Sequence, residues 1–182
     1  MGWRRALPAA ALLLLGTAMN LRADSVGSSI PDTHATTLAG QPVELPAALR
    51  GKVGVLVIGF SRGSRDGVSE WGRHLAAEFR NSAGVTYYEA AMLAEVPRLV
   101  RGVVIRAMRS SIPERAQPRF LILTENEAAW RSVAHYSHDD PYLLLVDQRG
   151  HVIWQTEGVP TEASEAELRL QLAKAASALQ GR

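Results

Sequence analysis

The segment from Val53 to Phe60 limits the possible folds of this chain more than any other. It is an almost continuous apolar run bounded by glycines. Such a run is typical of a strand that is buried on both faces, as in a parallel or mixed sheet. From Val68 to Phe79 the apolar residues recur at steps of three and four, which indicates a helix with one face against that sheet. The sequence therefore predicts an α/β fold.

The same alternation continues to the end of the chain. An extended pair with a turn at residues 38–43 is expected before the long strand. Further strands are predicted over residues 85–92, 120–123, 142–147 and 152–154, and further helices over residues 96–108, 125–136 and 162–179. We expect Thr124 or Asn126 to cap the helix that begins at residue 125, and Gly150 to supply the positive φ of the last hairpin. This order predicts one α/β domain with a mixed central sheet.

None of the 182 residues is a cysteine. Disulfides, Cys-ligated zinc, iron–sulfur clusters and thiol catalysis all require cysteine sulfur. The sequence therefore excludes disulfide exchange and peroxidase chemistry by thiols of this chain. An ordinary content of 47% hydrophobic and 21% charged residues is still typical of a domain with one hydrophobic core.

The first 23 residues have the layout of a secretory signal peptide. Arg4 and Arg5 precede an apolar run over residues 6–16, and small residues make cleavage plausible after Ala18 or Ala23. We interpret residues 1–23 as the signal peptide, 24–29 as a short linker and 30–182 as the domain. A periplasmic or secreted location follows, with a mitochondrial presequence as the alternative because the segment has three arginines and no acid.

The charge of the remaining chain argues against nucleic-acid binding. The sequence has 20 basic and 18 acidic residues in all, and three of the basic ones lie within residues 1–23. The rest of the chain therefore holds 17 basic and 18 acidic residues, a net charge of −1. Nucleic-acid binding usually requires a positive field, so no nucleic-acid partner is expected.

Arginines are concentrated in the predicted helix around residue 100 and in the segment after it. Between residues 98 and 119 there are six arginines and a single acid, Glu114. At 100° per residue, we expect one face to present arginines around an exposed Ile105, opposite an apolar face that includes Leu99 and Val103. The candidate partner-binding residues are Arg98, Arg101, Ile105, Arg106 and Arg109. They predict docking of an acidic protein partner or an anionic membrane surface, and a solvated helix face is the alternative.

The late part of the chain resembles a known family. A strand at residues 120–123, Trp130, the pair Asp140–Pro141, and a strand that ends in Asp147-x-x-Gly150 are similar to the thioredoxin-like superfamily, in the elaboration found in thiol–disulfide reductases and peroxiredoxins. The resemblance covers roughly residues 30–180. It implies a three-layer sandwich with an inserted strand and helix, and it places Pro141 where the family has its cis-proline.

The position of the family's Cys-x-x-Cys motif corresponds to residues 61–67 of this chain, which hold no thiol. The resemblance therefore implies the fold and a groove between this loop and Pro141, without redox catalysis. The groove candidates are Ser61, Arg62, Ser64, Arg65, Asp66, His138, Asp139 and Pro141. Arg62 and Arg65 suit an anion, and Asp66, His138 and Asp139 suit a divalent ion. We assign no catalytic residue, no metal and no cofactor.

A hydrolase is a further alternative. Gly59-Phe60-Ser61-Arg62-Gly63 matches Gly-x-Ser-x-Gly between a strand and a helix, and Asp139, Asp147 and His151 follow in the chain order of a triad. That fold needs several strands before its nucleophile, and only about 30 residues separate the signal peptide from Val53. A turn built from glycines and small hydroxyls is therefore favoured.

A second resemblance concerns the role of the protein. The arginine-rich segment, Trp130 and the last hairpin are similar in order to the assembly factor family for the membrane sector of mitochondrial ATP synthase. This resemblance implies a chaperone rather than a reductase. We therefore expect a redox-inactive protein that binds a partner in a chaperone or membrane-complex assembly role, with binding of a small ligand in the groove as the alternative.

Overall fold

The computed structural model describes residues 27–180 and the side chains up to residue 177. The strands are β1 (Thr33–Thr37), β2 (Pro42–Leu45), β3 (Val53–Gly59), β4 (Val85–Met92), β5 (Phe120–Leu123), β6 (Tyr142–Val146) and β7 (Val152–Glu157). The helices are α1 (Arg65–Phe79), α2 (Arg98–Ser111), α3 (Glu127–Ala134) and α4 (Glu162–Gln180), with 3-10 turns at Ala47–Leu49 and Gln117–Arg119.

The seven strands form one mixed sheet in the order β2-β1-β5-β4-β3-β6-β7. β3, β4 and β5 are parallel, and the connections between them are the helices α1 and α2. β6 runs antiparallel to β3, β7 antiparallel to β6, and the β1–β2 hairpin antiparallel to β5. The predicted α/β fold, with its mixed sheet, N-terminal extended pair and inserted strand and helix, is confirmed.

One face of the sheet is covered by α1 and α4. Trp71 and Leu75 of α1 and Leu168 of α4 are buried there against Val55 of β3. The indole N–H of Trp71 donates to the carbonyl of Gly158 at 2.9 Å, which joins α1 to the segment before α4. This layer fixes the loop that follows β3.

The opposite face is covered by α3 and the N-terminal hairpin. Trp130 of α3 is completely buried in this second core, together with Leu45 and Leu49. Its indole N–H donates to the hydroxyl of Thr33 at 3.0 Å, which joins α3 to β1. Helices on both faces make the predicted three layers.

Several boundaries agree closely with the sequence prediction, and α3 does not. β4 has the predicted bounds, and Gly150 has a φ of 90° in the last hairpin. α3 begins at Glu127 rather than residue 125 because Asn126 is left-handed, with a φ of 58°. The expected side-chain cap is absent at Asn126, whose amide instead donates to the carbonyl of Asp32 at 2.7 Å.

The signal peptide predicted at residues 1–23 lies outside the described residues. Of the predicted linker, residues 27–29 belong to the fold, because Gly27 and Ser28 form main-chain hydrogen bonds with Val152 and Ser29 bridges His151. None of the helices within residues 27–180 combines the length and apolar character needed to cross a bilayer.

Candidate functional site

The loop after β3 is a tight turn held by its own hydroxyl groups. Ser61 Oγ accepts the N–H of Gly63 at 3.0 Å, and Ser64 Oγ donates to the carbonyl of Ser61 at 2.9 Å. Ser64 is buried and its carbonyl accepts the N–H of Val68, which starts α1. The serines therefore stabilise the turn that leads from the sheet into the helix. This agrees with the interpretation favoured from the sequence, a turn rather than a nucleophile elbow.

This loop packs directly on the segment before β6, so the predicted groove is narrow. A Cβ added to Gly63 would lie 3.3 Å from the Cβ of Asp139, and one added to Gly67 would lie 2.8 Å from Cγ of Pro141. Glycine is required at Gly67 because any side chain would collide with the proline ring. The two sides of the predicted groove, residues 61–67 and residues 138–141, are therefore in contact.

Pro141 lies directly before β6, the position expected from the family resemblance. Within residues 27–180 the only cis peptide bond joins Leu45 and Pro46, so the Asp140–Pro141 bond is trans. The sequence left the conformation of this bond open, and the family's cis-proline is not reproduced here. Sequence alone could not settle this point, because only about 5–6% of X–Pro bonds are cis in folded proteins.

An aromatic cluster adjoins this contact. Phe60, Tyr136 and Tyr142 have ring centroids 5.2 to 5.8 Å apart. The guanidinium of Arg131 lies over the ring of Tyr136 at 3.9 Å and is paired with Glu127 at 2.7 Å. Aromatic contacts and a stacked arginine rigidify a site and supply no nucleophile. The sequence analysis missed this cluster, although Phe60 ends one apolar run and Tyr142 begins another.

Tyr142 also fixes the loop that carries the candidate ligands. Its buried hydroxyl accepts the N–H groups of Ser137 and His138, at 2.9 and 3.0 Å, and donates to the carbonyl of His138 at 3.0 Å. Asp139 accepts a hydrogen bond from the hydroxyl of Tyr136 at 2.9 Å. These bonds hold the loop in one shape.

The predicted ion-binding groups do not converge. His138 Nδ1 lies 2.9 Å from the hydroxyl of Ser137, and Asp66 is exposed in the first turn of α1. No three side chains of the types that ligate metals come together within residues 27–180. Arg62 and Arg65 are exposed beside them and are the remaining polar groove candidates.

Of the hypothetical triad, Asp139 lies beside the Ser61 loop, whereas Asp147 and His151 lie at the opposite end of the strands from Ser61. β6 is antiparallel to β3, with Tyr142 opposite Ile58, so Asp147 follows the end of β6 that is far from Ser61. Asp147 accepts the N–H groups of Arg149 and His151 at 2.8 and 2.9 Å. Burial acts to raise the pKa of Asp147, but these bonds outweigh it and lower the pKa below its usual range. This carboxylate stabilises the hairpin.

The orientation of α2 differs from the prediction. Ile105 is half-buried and packs against the core, together with Val104 and Met108, whereas Leu99 and Val103 face outward. The predicted arrangement, with Ile105 exposed and Leu99 and Val103 on the buried face, is wrong. The physical reason is that α2 carries apolar residues on two sides, and its sequence does not say which side meets the sheet.

Two of the arginines on α2 have internal partners. Arg101 Nη2 donates to the carbonyls of Ala94 and Val96, each at 3.0 Å. Arg109 Nε donates to the carbonyl of Leu38 at 2.9 Å. These two arginines fasten α2 to the loop before it and to the end of β1.

The outer face of α2 combines exposed apolar and basic side chains. Leu99 is 96% exposed, Val103 66% and Val100 47%. Arg98 and Arg106 are exposed on the same helix, and residues 98–111 contain no acid. We call these five residues the α2 outer face. At its C-terminal end, a shallow depression of about 620 Å³ continues from Arg106 along the loop that follows the helix.

Comparisons with solved structures show which known proteins have a similar fold. No protein-family model matches the chain, and no curated protein matches it. A structure from Chlorobium tepidum assigned to the thiol:disulfide interchange protein DsbE has 18% identity, covers 82% of this chain and 96% of its own, and gives a TM-score of 0.55.

Two further solved structures have the same arrangement. The exposed lipoprotein thioredoxin Etrx1 of Streptococcus pneumoniae is 10% identical, with coverages of 78% of this chain and 100% of its own and a TM-score of 0.58. BsSco, a member of the Sco family of cytochrome c oxidase assembly proteins, is 13% identical, with coverages of 87% and 98% and a TM-score of 0.56. The chain has a thioredoxin-like fold that contains no cysteine.

Proposed function

We propose that this protein is a non-catalytic thioredoxin-like protein that binds a protein partner, in a chaperone or assembly role outside the cytoplasm. The observation that carries the proposal is the α2 outer face. A surface side chain as large as Leu99 that is 96% exposed, beside Val100 and Val103, forms an apolar patch on a helix whose inner side is apolar as well. A helix that is apolar on both sides is normally covered on both sides.

The charge of the patch indicates the chemistry of the partner. Arg98 and Arg106 flank the apolar residues, and no acid of α2 neutralises them. A complementary surface has apolar residues at its centre and carboxylates at its rim, an arrangement that gives both burial and specificity. We infer a protein partner with an acidic, amphipathic segment.

The site of the family's thiols supports a role without catalysis. Phe60, Tyr136 and Tyr142 pack on one another next to the loop, Gly67 contacts Pro141, and the chain holds no cysteine. The proposed location is supported by the signal-like residues 1–23 and by similarity in fold to a pneumococcal exposed lipoprotein. A role in assembly is supported by similarity in fold to a cytochrome c oxidase assembly protein. The resemblance to the ATP synthase assembly factor stays a prediction.

The proposal is tested by capture of partners with matched variants. Leu99→Asp with Val103→Asp places charge on the apolar patch, and Arg98→Glu with Arg106→Glu reverses its rim. Leu170→Asp is the control, because Leu170 is 49% exposed and belongs to a different helix, α4. Exposed substitutions change stability by only about 0.5 kcal/mol, so all variants are expected to fold.

We expect the same partner to be captured by the wild-type protein and by Leu170→Asp, and to be lost from both α2 variants. Capture that survives both α2 variants would reject the α2 outer face as the docking site. Binding of the wild-type protein to anionic vesicles, lost in the same variants, would replace the protein partner with a membrane surface.

A further inference from the structure

Two arginines with unused donors line the depression at the C-terminal end of α2. Arg106 and Arg109 lie one turn apart on the helix, and both are exposed there. Within residues 27–180, Arg106 has no hydrogen-bond or ion-pair partner, and Arg109 has a partner only for its Nε, which donates to the carbonyl of Leu38 at 2.9 Å. The remaining guanidinium N–H groups are donors of the kind that bind a carboxylate.

The main-chain carbonyls that end α2 are covered by hydrogen bonds. Free carbonyls at a helix C-terminus carry partial negative charge and would repel an anion. Here the Nε2 of Gln117 donates to the carbonyls of Arg109 and Ile112, each at 3.0 Å. The hydroxyls of Ser110 and Ser111 donate to the carbonyls one turn before them, at 2.9 and 3.0 Å. These bonds reduce the negative charge that the helix end presents to the depression.

Gln117 also supplies an unused acceptor. It lines the depression and is only 8% exposed. Since its Nε2 donates to both carbonyls of the helix end, the orientation of the amide is settled, and Oε1 is the atom without a hydrogen-bond partner among residues 27–180. This Oε1 is not enclosed, in contrast to the unpartnered Oε1 of Gln155. A ligand that satisfies the site therefore needs an N–H donor beside an anionic group.

A peptide with a free C-terminus combines these two groups. Its carboxylate and its last main-chain N–H are attached to the same Cα, whereas the side-chain carboxylates of aspartate and glutamate are separated from their own N–H by further bonds. Capture of C-terminal carboxylates is a recurring mode of peptide recognition. Ile112 and Pro113 give the lining an apolar part that suits an apolar last side chain. Among the described residues that line the depression, Glu114 is the one acid.

We propose that the depression binds the free C-terminus of a partner protein, with Arg106 and Arg109 donating to the carboxylate and Gln117 Oε1 accepting the last main-chain N–H. The inference rests on the proposed function and deepens it, since the depression adjoins the α2 outer face at Arg106. Leu99 and Arg106 are about 10 Å apart along the helix axis, so the last residues of the partner span both. The acidic, amphipathic segment of the partner then lies at the end of its chain.

The first test uses a defined probe, the peptide acetyl-Gly-Gly-Leu, with the main-chain amide signals of the full chain followed by NMR. The matched probes are the same peptide with an amidated C-terminus and acetyl-Gly-Glu-Gly-amide, which has only a side-chain carboxylate. We expect shifts confined to the surroundings of residues 106–117 and binding of the free acid at least about tenfold tighter than that of either amide, because charge-assisted hydrogen bonds are lost. No binding of the free acid at millimolar concentration, or equal binding of any matched probe, would overturn the proposal.

Variants of the lining are expected to change the affinity for the free acid in opposite directions. Arg106→Gln removes a guanidinium and weakens binding by about fivefold or more, whereas Glu114→Gln removes the opposing charge and strengthens it by about twofold. Arg98→Gln is the matched control, since it makes the same exchange at an exposed arginine of the other end of α2 and leaves the affinity unchanged. An equal loss in Arg98→Gln and Arg106→Gln would contradict a site at the depression.

The failure of this inference is distinguishable from failure of the proposed function. A captured partner is expected to lose binding when a tag extends its C-terminus and to keep it when the same tag is placed at its N-terminus. Capture that survives the C-terminal tag, yet is lost in Leu99→Asp with Val103→Asp, would overturn the inference and leave the proposed function standing. Capture that is lost with the C-terminal tag and in Arg106→Gln supports both.

Discussion

Glu89 is the residue whose environment is most unusual. It lies in β4, opposite Val57 of β3 and Phe120 of β5, and is only 7% exposed. Gly72 of α1 passes directly over its carboxyl group, where a Cβ would collide. Burial in this apolar layer raises the pKa of Glu89 to about 7. The sheet therefore holds a carboxyl group that is more easily protonated than in the unfolded chain.

This pKa predicts that stability falls as the pH rises. An acid whose folded pKa is raised contributes its full stabilisation below its unfolded pKa of 4.5, and this stabilisation is lost as the pH rises through about 7. The shift corresponds to about 3 kcal/mol between pH 4 and pH 8. We expect Glu89→Gln to remove this decline, which urea unfolding at several pH values measures. An unchanged pH dependence in Glu89→Gln would show that Glu89 is not its source.

Because Gly72 contacts Glu89, we expect a glycine-to-alanine substitution at position 72 to lower stability, whereas this substitution usually raises it in a helix. Exchange of a helical glycine for alanine normally stabilises a helix by up to about 1 kcal/mol. We expect this gain for Gly102→Ala, because nothing lies within 4 Å of the added methyl group. Gly72→Ala is expected to destabilise the protein, since its methyl group meets the Glu89 carboxyl. Thermal unfolding of both variants decides this, and a gain at Gly72 would contradict the packing described.

Among the elements, α2 is attached differently from the other helices. No residue of α2 is fully buried, and its inner contacts come from half-buried residues such as Val104, Ile105 and Met108. Arg101 supplies bonds to two carbonyls of the loop before the helix. Arginine side chains therefore hold the helix in addition to apolar contact, and its outer face stays exposed.

This attachment predicts that the arginines of α2 have two separate roles. Arg101→Ala leaves the carbonyls of Ala94 and Val96 without their donor, and we expect a loss of about 2 kcal/mol of stability. Arg106→Ala is expected to change stability by less than about 0.5 kcal/mol, because Arg106 is exposed. Chemical denaturation of the two variants measures the difference. Equal losses would show that Arg101 does not fasten the helix.

How far an element could be predicted from the sequence depended on how it is packed. β4 was predicted with its observed bounds because it opens with β-branched and aromatic residues, Val85 to Tyr88, directly after Gly84. The orientation of α2 was not predicted correctly, because the helix has two apolar sides. Leu99 and Val103 lie on one side, and Val104 and Met108 lie on the other. The aromatic cluster was missed because Phe60 and Tyr142 belong to segments 82 residues apart that meet only when β6 pairs with β3.

In the whole molecule, the residues that determine the fold differ from those at the position of the family's thiols. The thioredoxin-like sheet and its layers follow from the alternation of strands and helices, which does not depend on cysteine. At the position of the family's thiols, this chain has the Ser61 turn and the packed rings of Phe60, Tyr136 and Tyr142. Within residues 27–180, no other element covers the exposed apolar residues of the α2 outer face.

The most direct test of partner binding is site-specific photo-crosslinking in the native envelope. A photoreactive residue is placed at Val103 on the α2 outer face and, as the matched position, at Leu170 on α4. We predict one discrete crosslinked partner from position 103, absent from position 170 and lost when Arg98→Glu and Arg106→Glu are added. No specific crosslink from position 103 in the folded, correctly located protein would contradict the proposed role.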